Sequence, residues 1–228
     1  MVKMTNKGSM SRKRSRNRLL TFIGIIAMIL LEAVNTFSSL HLDGCALVVG
    51  LVFFFIVEAV SVTPRAKSGL RFKTVPEDLE KPGVLFVVLL PVVSAIISYF
   101  LGKLLLGERI VEHVLTRISP MLSFGKIPLL IGQLIIGALI EEIAFRGFFV
   151  GKGVKLFPYW LCVLVSSSVF AEGHYYPGDA AVVAFDLLFV FIDSVIFSVI
   201  YRKTGNCAVS AIAHLLANTV GLILLLAW

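Results

Sequence analysis

The chain has 228 residues, of which 58% are hydrophobic and only 15% charged, and its mean hydropathy is +0.95. That balance lies far outside the range of soluble globular domains and defines a multispanning membrane protein. The formal net charge of +7 does not point to nucleic acid, because the basic residues cluster beside apolar runs, where they set orientation and meet anionic lipid.

Seven apolar segments are long enough to cross a hydrocarbon layer that needs about 20 residues of helix. They cover roughly 19–37, 44–63, 84–107, 128–150, 158–176, 179–201 and 206–228. Closed barrels would need short alternating strands, so the expected fold is all-α, a polytopic transmembrane bundle of about seven helices (six to eight). The basic segment 1–18 precedes the first span. A helix pair follows over 19–63, then a charged linker over 64–83, then a helical bundle over 84–228 that carries three polar motifs.

The first span follows "KGSMSRKRSRNR", which resembles a signal-peptide n-region. However, its apolar run is long, contains Glu32 and has no small-x-small cleavage site close behind, so it reads as an uncleaved helix. The linker "PRAKSGLRFKTVPEDLEKPG" mixes both charges with Pro and Gly and reads as solvated. Residues 108–122 set Ile110, Val111, Val114, Leu115 and Ile118 on one helical face against Glu108, Arg109, Glu112 and His113, the pattern of an interfacial amphipathic helix with His113 in solvent. Seventeen of the 21 Lys and Arg residues fall in the N-terminus, the linker, 146–157 and 202–203. By the positive-inside rule these face the cytoplasm of a multi-pass cell-membrane protein, and seven crossings put Trp228 outside. Cys45, Cys162 and Cys207 are scattered and read as packing residues, not as a disulfide or thiolate-metal framework.

The fourth span carries "GALIEEIAFRGFF". A charged group near a bilayer centre costs on the order of 2.5–3.5 kcal/mol even on mild insertion scales, so each one needs a compensating partner. Glu142 and Arg146 are an i, i+4 pair with the acid N-terminal, the favourable orientation. Glu141 points about 100° away, sharing its face with Gly137, Ala138, Ala144 and Phe145, small residues that favour close helix approach, and its partner must come from another helix. Candidates are His174, four residues after Phe170, and His214, four residues before Asn218. Glutamate, two histidines and an asparagine on three helices form a catalytic inventory. A carboxylate partly withdrawn from water can take a proton from water, imidazoles can orient that water or hold a metal, and an amide can donate to a developing oxyanion.

Glu-Glu-x-x-x-Arg at 141–146, Phe-x-x-x-His at 170–174 and His-x-x-x-Asn at 214–218, in that order on separate apolar helices, resemble the CPBP intramembrane proteases, a family that includes the CAAX prenyl proteases and bacterial Abi proteins linked to bacteriocin self-immunity. "YRKTGN" at 201–206 is similar to that family's Lys-Thr-Gly turn. The resemblance covers about 128–220. It implies that Glu141 is the general base, Glu142 and Arg146 a supporting pair alongside Phe170, His174 and His214 the partners that polarise water or bind metal, and Asn218 the oxyanion donor. The implied reaction is hydrolysis of a peptide bond in a membrane-associated peptide or protein, lipidated in the CAAX enzymes. A divalent metal such as zinc on His174 and His214 stays open beside a metal-free mechanism; with zinc, Glu141 would ligate and could not serve simply as the base.

Asp193 departs from the family, where this point of the preceding helix is small. Glu32, Glu58 and Asp186 also lie in apolar stretches, with no partner evident. The depths conflict as well. On straight antiparallel helices Glu141 lies roughly 15 Å and His174 roughly 25 Å from the cytoplasmic ends, so the helix of His174 must tilt, start well below the membrane or have other limits. Two other readings remain: a non-proteolytic immunity or scaffold protein of the same fold, and a proton-coupled transporter, since buried Glu and His also mark proton relays.

Overall fold

The computed structural model describes residues 2–38, 40, 42–61, 69–122 and 127–227, apart from the side chains of 2–10 and 121. His41, residues 64–68 of the linker and Trp228 lie outside the described residues. The described chain is all helical. Its helices are α1 (Val2–Phe37), α2 (Cys45–Val60), α3 (Val75–Leu79), α4 (Val84–Leu106), α5 (Glu108–Leu122), α6 (Ile127–Gly153), α7 (Tyr159–Glu172), α8 (Ala180–Thr204) and α9 (Cys207–Leu226).

Five helices are long and apolar enough to cross a membrane: α4, α6, α8, α9 and the Ser11–Phe37 part of α1. The protein is a multi-pass membrane protein. The remaining two expected spans are the shorter apolar helices α2 and α7, with 16 and 14 residues. At 1.5 Å per residue these reach only about 24 and 21 Å, short of a hydrocarbon layer of about 30 Å.

Helix ends follow local chemistry. Pro158 caps α7, Asp179 accepts from the amides of Ala181 and Val182 at the start of α8, and Asn206 accepts from Ala208 at the start of α9. Gly205 ends α8 at φ 64°, a left-handed conformation that costs other residues energy. Gly107, at φ 67°, separates α4 from α5 and redirects the chain.

Helix α9 packs on α4, α6 and α8 at the centre. Val84, Val87, Val88, Phe197, Ile200, Val209 and Ala213 form the core there. A second core joins α1 and α2 to α6 through Ile25, Met28, Ala46, Phe54, Ala144 and Phe148. Closeness to α6 is not found along the whole small-residue face. A Cβ at Gly137 would meet nothing within 4 Å, whereas Ala144 Cβ would lie 2.9 Å from one placed on Gly50. The Gly137 side instead looks towards open space.

Two solvated stretches of the sequence reading are corrected. Residues 69–83 fold into a 3₁₀ turn (Phe72–Thr74) and α3, and Asp78 is 3% exposed. Its carboxylate accepts from Lys81 at 2.6 Å, Asn206 at 2.8 Å and Thr74 at 3.0 Å, and pairs with Arg71 at 3.5 Å. Arg71 in turn donates to the carbonyls of Thr204 and Gly205, at 3.1 and 2.9 Å. Burial works against the charged form, but the bonds from Lys81, Asn206 and Thr74 hold the Asp78 carboxyl below the usual carboxylate range. His113 is not in solvent either. Its side chain is 7% exposed, with Nε2 3.5 Å from Asp186. The amphipathic helix α5 turns its apolar face, and His113 with it, onto the bundle because Asp186 and an internal cavity lie beneath.

Candidate active site

Directly after Glu142, α6 widens into a π-helix over Ile143–Val150, and all eight of its residues are buried. Such wide turns leave the normal hydrogen-bond register and are frequent at functional sites. The chain tolerates the widening because Gly147 and Gly151 admit Phe54 and the Tyr201 hydroxyl where a side chain would clash.

The wide turn sets Arg146 under Glu142. Arg146 Nη1 and Glu142 Oε1 are 2.9 Å apart and both side chains are fully buried. Arg146 Nη2 donates to Ser194 Oγ at 2.7 Å and to the Ser194 carbonyl at 3.0 Å. The guanidinium lies 4.6 Å from the Phe170 ring and 5.1 Å from the Phe197 ring. Cation, anion, hydroxyl and aromatic faces together compensate the charge, which answers how lipid tolerates it. Phe170 thus packs in this cluster; Ser194 and Phe197 are members that no sequence spacing announces.

His214 bridges the two glutamates. Its Nδ1 is 3.2 Å from Glu142 Oε1 and its Nε2 3.7 Å from Glu141 Oε2. Glu142 Oε1 faces Arg146 Nη1 as the acceptor of an ion pair, so His214 Nδ1 donates to it and Nε2 offers its lone pair. Phe197 stacks on the imidazole at 4.6 Å and fixes its plane. His174 has the same tautomer for an independent reason. Its Nδ1 is 2.8 Å from the Phe170 carbonyl, which cannot donate, so Nε2 is again the acceptor.

Helix α7 ends at Glu172, and His174 sits in the turn beyond it, with Nδ1 held one turn back on the Phe170 carbonyl. Phe170 packs edge-on against Phe145 at 5.0 Å. Phe145 is eight residues from the end of α6 at Gly153, and Phe170 eleven from the start of α7 at Tyr159. Helix α7 therefore starts about 4–5 Å farther out towards the basic loops than α6 ends, which brings His174 level with Glu141 and removes the depth conflict.

Glu141, His174, His214 and Asn218 all line one cavity of about 320 Å³. Glu141 is 25% exposed while Glu142 is fully buried, so adjacent glutamates have different surroundings. Asn218 is exposed at the wall. Helix α5 covers part of the cavity with Ile110, Val111, Val114 and Ile118. Arg117, also on α5, donates to Asp186 at 3.1 Å. Asp186 thus has partners in Arg117 and His113, and Glu58 pairs with Lys152. These pairs cross between helices 69 and 94 residues apart, and the sequence carries no signal for them. Asp193 lines the cavity.

Two imidazole lone pairs and a carboxylate have the chemistry of a zinc set. Among the described residues, however, no three His, Cys, Asp or Glu side chains are grouped as metal ligands, and the steps proposed below run through side chains and water.

An all-helical membrane bundle that presents a glutamate, two imidazoles and an amide to one internal cavity has the arrangement expected of an intramembrane hydrolase. Residues 123–220 match the family described as type II CAAX prenyl endopeptidase Rce1-like. Over this segment the chain is similar to the CAAX protease family, consistent with the motifs at 141–146, 170–174 and 214–218. No curated protein and no solved structure matches the chain.

Proposed function

We propose that the protein is an intramembrane endopeptidase that hydrolyses a peptide bond of a membrane-associated peptide or protein with water activated by Glu141. The observation that carries this reading is the division of labour between the two glutamates. Glu142 is sealed against Arg146 and His214, whereas Glu141 is partly exposed to the cavity with the His214 lone pair 3.7 Å away.

Water held among Glu141 and the two Nε2 atoms gives a proton to Glu141 as its oxygen attacks the scissile carbonyl carbon. The carbonyl oxygen becomes an oxyanion, and the Asn218 amide donates to it. Glu141 then returns the proton to the amide nitrogen as the C–N bond breaks, releasing carboxyl and amine products. His174 and His214 act as acceptors that orient the water, their tautomers fixed by Phe170 and Glu142.

The apolar walls suit a hydrophobic segment, lipidated or amphipathic. The enzymes that the family description names act on prenylated CAAX tails; a lipidated terminus is one substrate class for this chain. We place the protein in the cell membrane with its N-terminus and basic loops cytoplasmic, on the charge bias. Comparing membrane peptidomes of cells carrying the wild type or E141A tests the proposal. Peptides cleaved only with the wild type support it; identical peptidomes refute it. A binding or immunity role without proteolysis tolerates E141Q, which keeps shape and loses the base.

A further inference from the structure

The mechanism uses no part of Asp193, yet this side chain faces the same cavity as Glu141. It lies one turn before Phe197 on α8, and Phe197 stacks on His214 at 4.6 Å, so the carboxylate is within about a helical turn of the reacting centre. Its Oδ1 is buried, and the Ser94 hydroxyl beside it is a neutral group that cannot balance a charge. The cation that acts on it, Arg146, is already engaged by Glu142 and Ser194. Of the other cavity acids, Asp186 has Arg117, and Glu141, the proposed base, faces the His214 lone pair. Among the described residues Asp193 makes no ion pair and has no part in the proposed proton transfer. A carboxylate facing an apolar cavity without a cation is costly, and a ligand that brings the missing charge recovers that cost as affinity.

We propose that Asp193 is a specificity residue that selects substrates with a basic side chain, lysine or arginine, beside the scissile bond. The methylene stem of such a residue lies against apolar wall, near Phe189 and Ala95, while its charged head reaches the carboxylate. The inference rests on the cavity being the substrate site, as in the proposed function, but not on cleavage.

Binding therefore tests it separately. E141Q protein in nanodiscs, which also removes the competing Glu141 charge, is titrated with myristoylated octapeptides of alanine and leucine carrying Lys, Gln or Glu at each position in turn. At one position or more the Lys peptide is expected to bind at least about tenfold tighter than its Gln counterpart, with the Glu peptide weakest. In E141Q/D193N that ratio should fall to near one, with the melting temperature unchanged. Equal affinities for Lys and Gln at every position, no binding of any peptide, or a lysine preference that survives D193N overturns the proposal. Cleavage of the same peptides by the wild-type chain is scored independently, so loss of the proteolytic reading and loss of this one are distinguishable.

Discussion

Two polar clusters in this protein are built on opposite terms. Around Asp78, at the end of α8, each carboxylate oxygen has a donor: Lys81 on one, Thr74 and Asn206 on the other. Around the cavity, Glu142 Oε2, Arg146 Nε and Arg117 Nε are buried without hydrogen-bond partners. A native protein leaves few such atoms, and each calls for a reason. The first cluster ties a loop to a helix end and is saturated. The second leaves polar atoms free to meet water and a ligand, as the proposed hydrolysis would need.

Substitutions should separate the two. The largest effect is expected at Glu141: E141Q should lower peptide hydrolysis about a thousandfold while leaving the melting temperature in detergent within error, since this carboxylate braces nothing. A comparable loss of stability in E141Q would place Glu141 in the saturated class. Replacing Arg146 by Met inverts the pattern. It strands Glu142 in the bundle and should cost about 3–5 kcal/mol in denaturant unfolding, with a large part recovered in the double variant E142L/R146M, which remains inactive.

At the cavity wall, N218A is expected to reduce kcat about a hundredfold with KM little changed, the signature of a contact made only in the transition state. An equal rise in KM would instead make Asn218 a substrate-binding residue. D78N should destabilise by about 2 kcal/mol through loss of its charged hydrogen bonds and leave kcat per folded molecule unchanged. The Asp78 carboxyl is held below its unfolded value. Its contribution is therefore fully present above that value, about pH 3.9, and is lost as pH falls through the folded value. D78N should remove this part of the acid dependence, measured as the difference between the two unfolding curves. The smallest effect, about 1 kcal/mol, is expected for G205A, which forces a Cβ into the left-handed conformation at the end of α8. Metal analysis of purified protein, with hydrolysis measured before and after chelation, extends the comparison: unchanged activity is expected from the side-chain mechanism.

Relations that live within one helix could be read from the chain. The i, i+4 rule gave the Glu142–Arg146 pair, observed at 2.9 Å, and set Phe170 beside His174, observed at 4.6 Å between rings. Long apolar runs dictated helices because a lipid-facing backbone must satisfy its own hydrogen bonds. The amphipathic face of α5 was legible for the same reason of fixed periodicity.

Everything that depends on how helices rotate and cross was decided only by the tertiary structure. Periodicity separates Glu141 from Glu142 by 100°, but only packing against Arg146, Ser194 and His214 seals one and exposes the other to the cavity. Asn206 reaches Asp78 across 128 residues and Arg117 reaches Asp186 across 69, and no local spacing encodes either meeting. Helical geometry is set by the backbone of a few neighbours, whereas crossing angle, depth and the π turn are set by the sum of contacts along whole helices. The chemical inventory was thus fixed by sequence, and its arrangement into a braced half and a waiting half was fixed by packing.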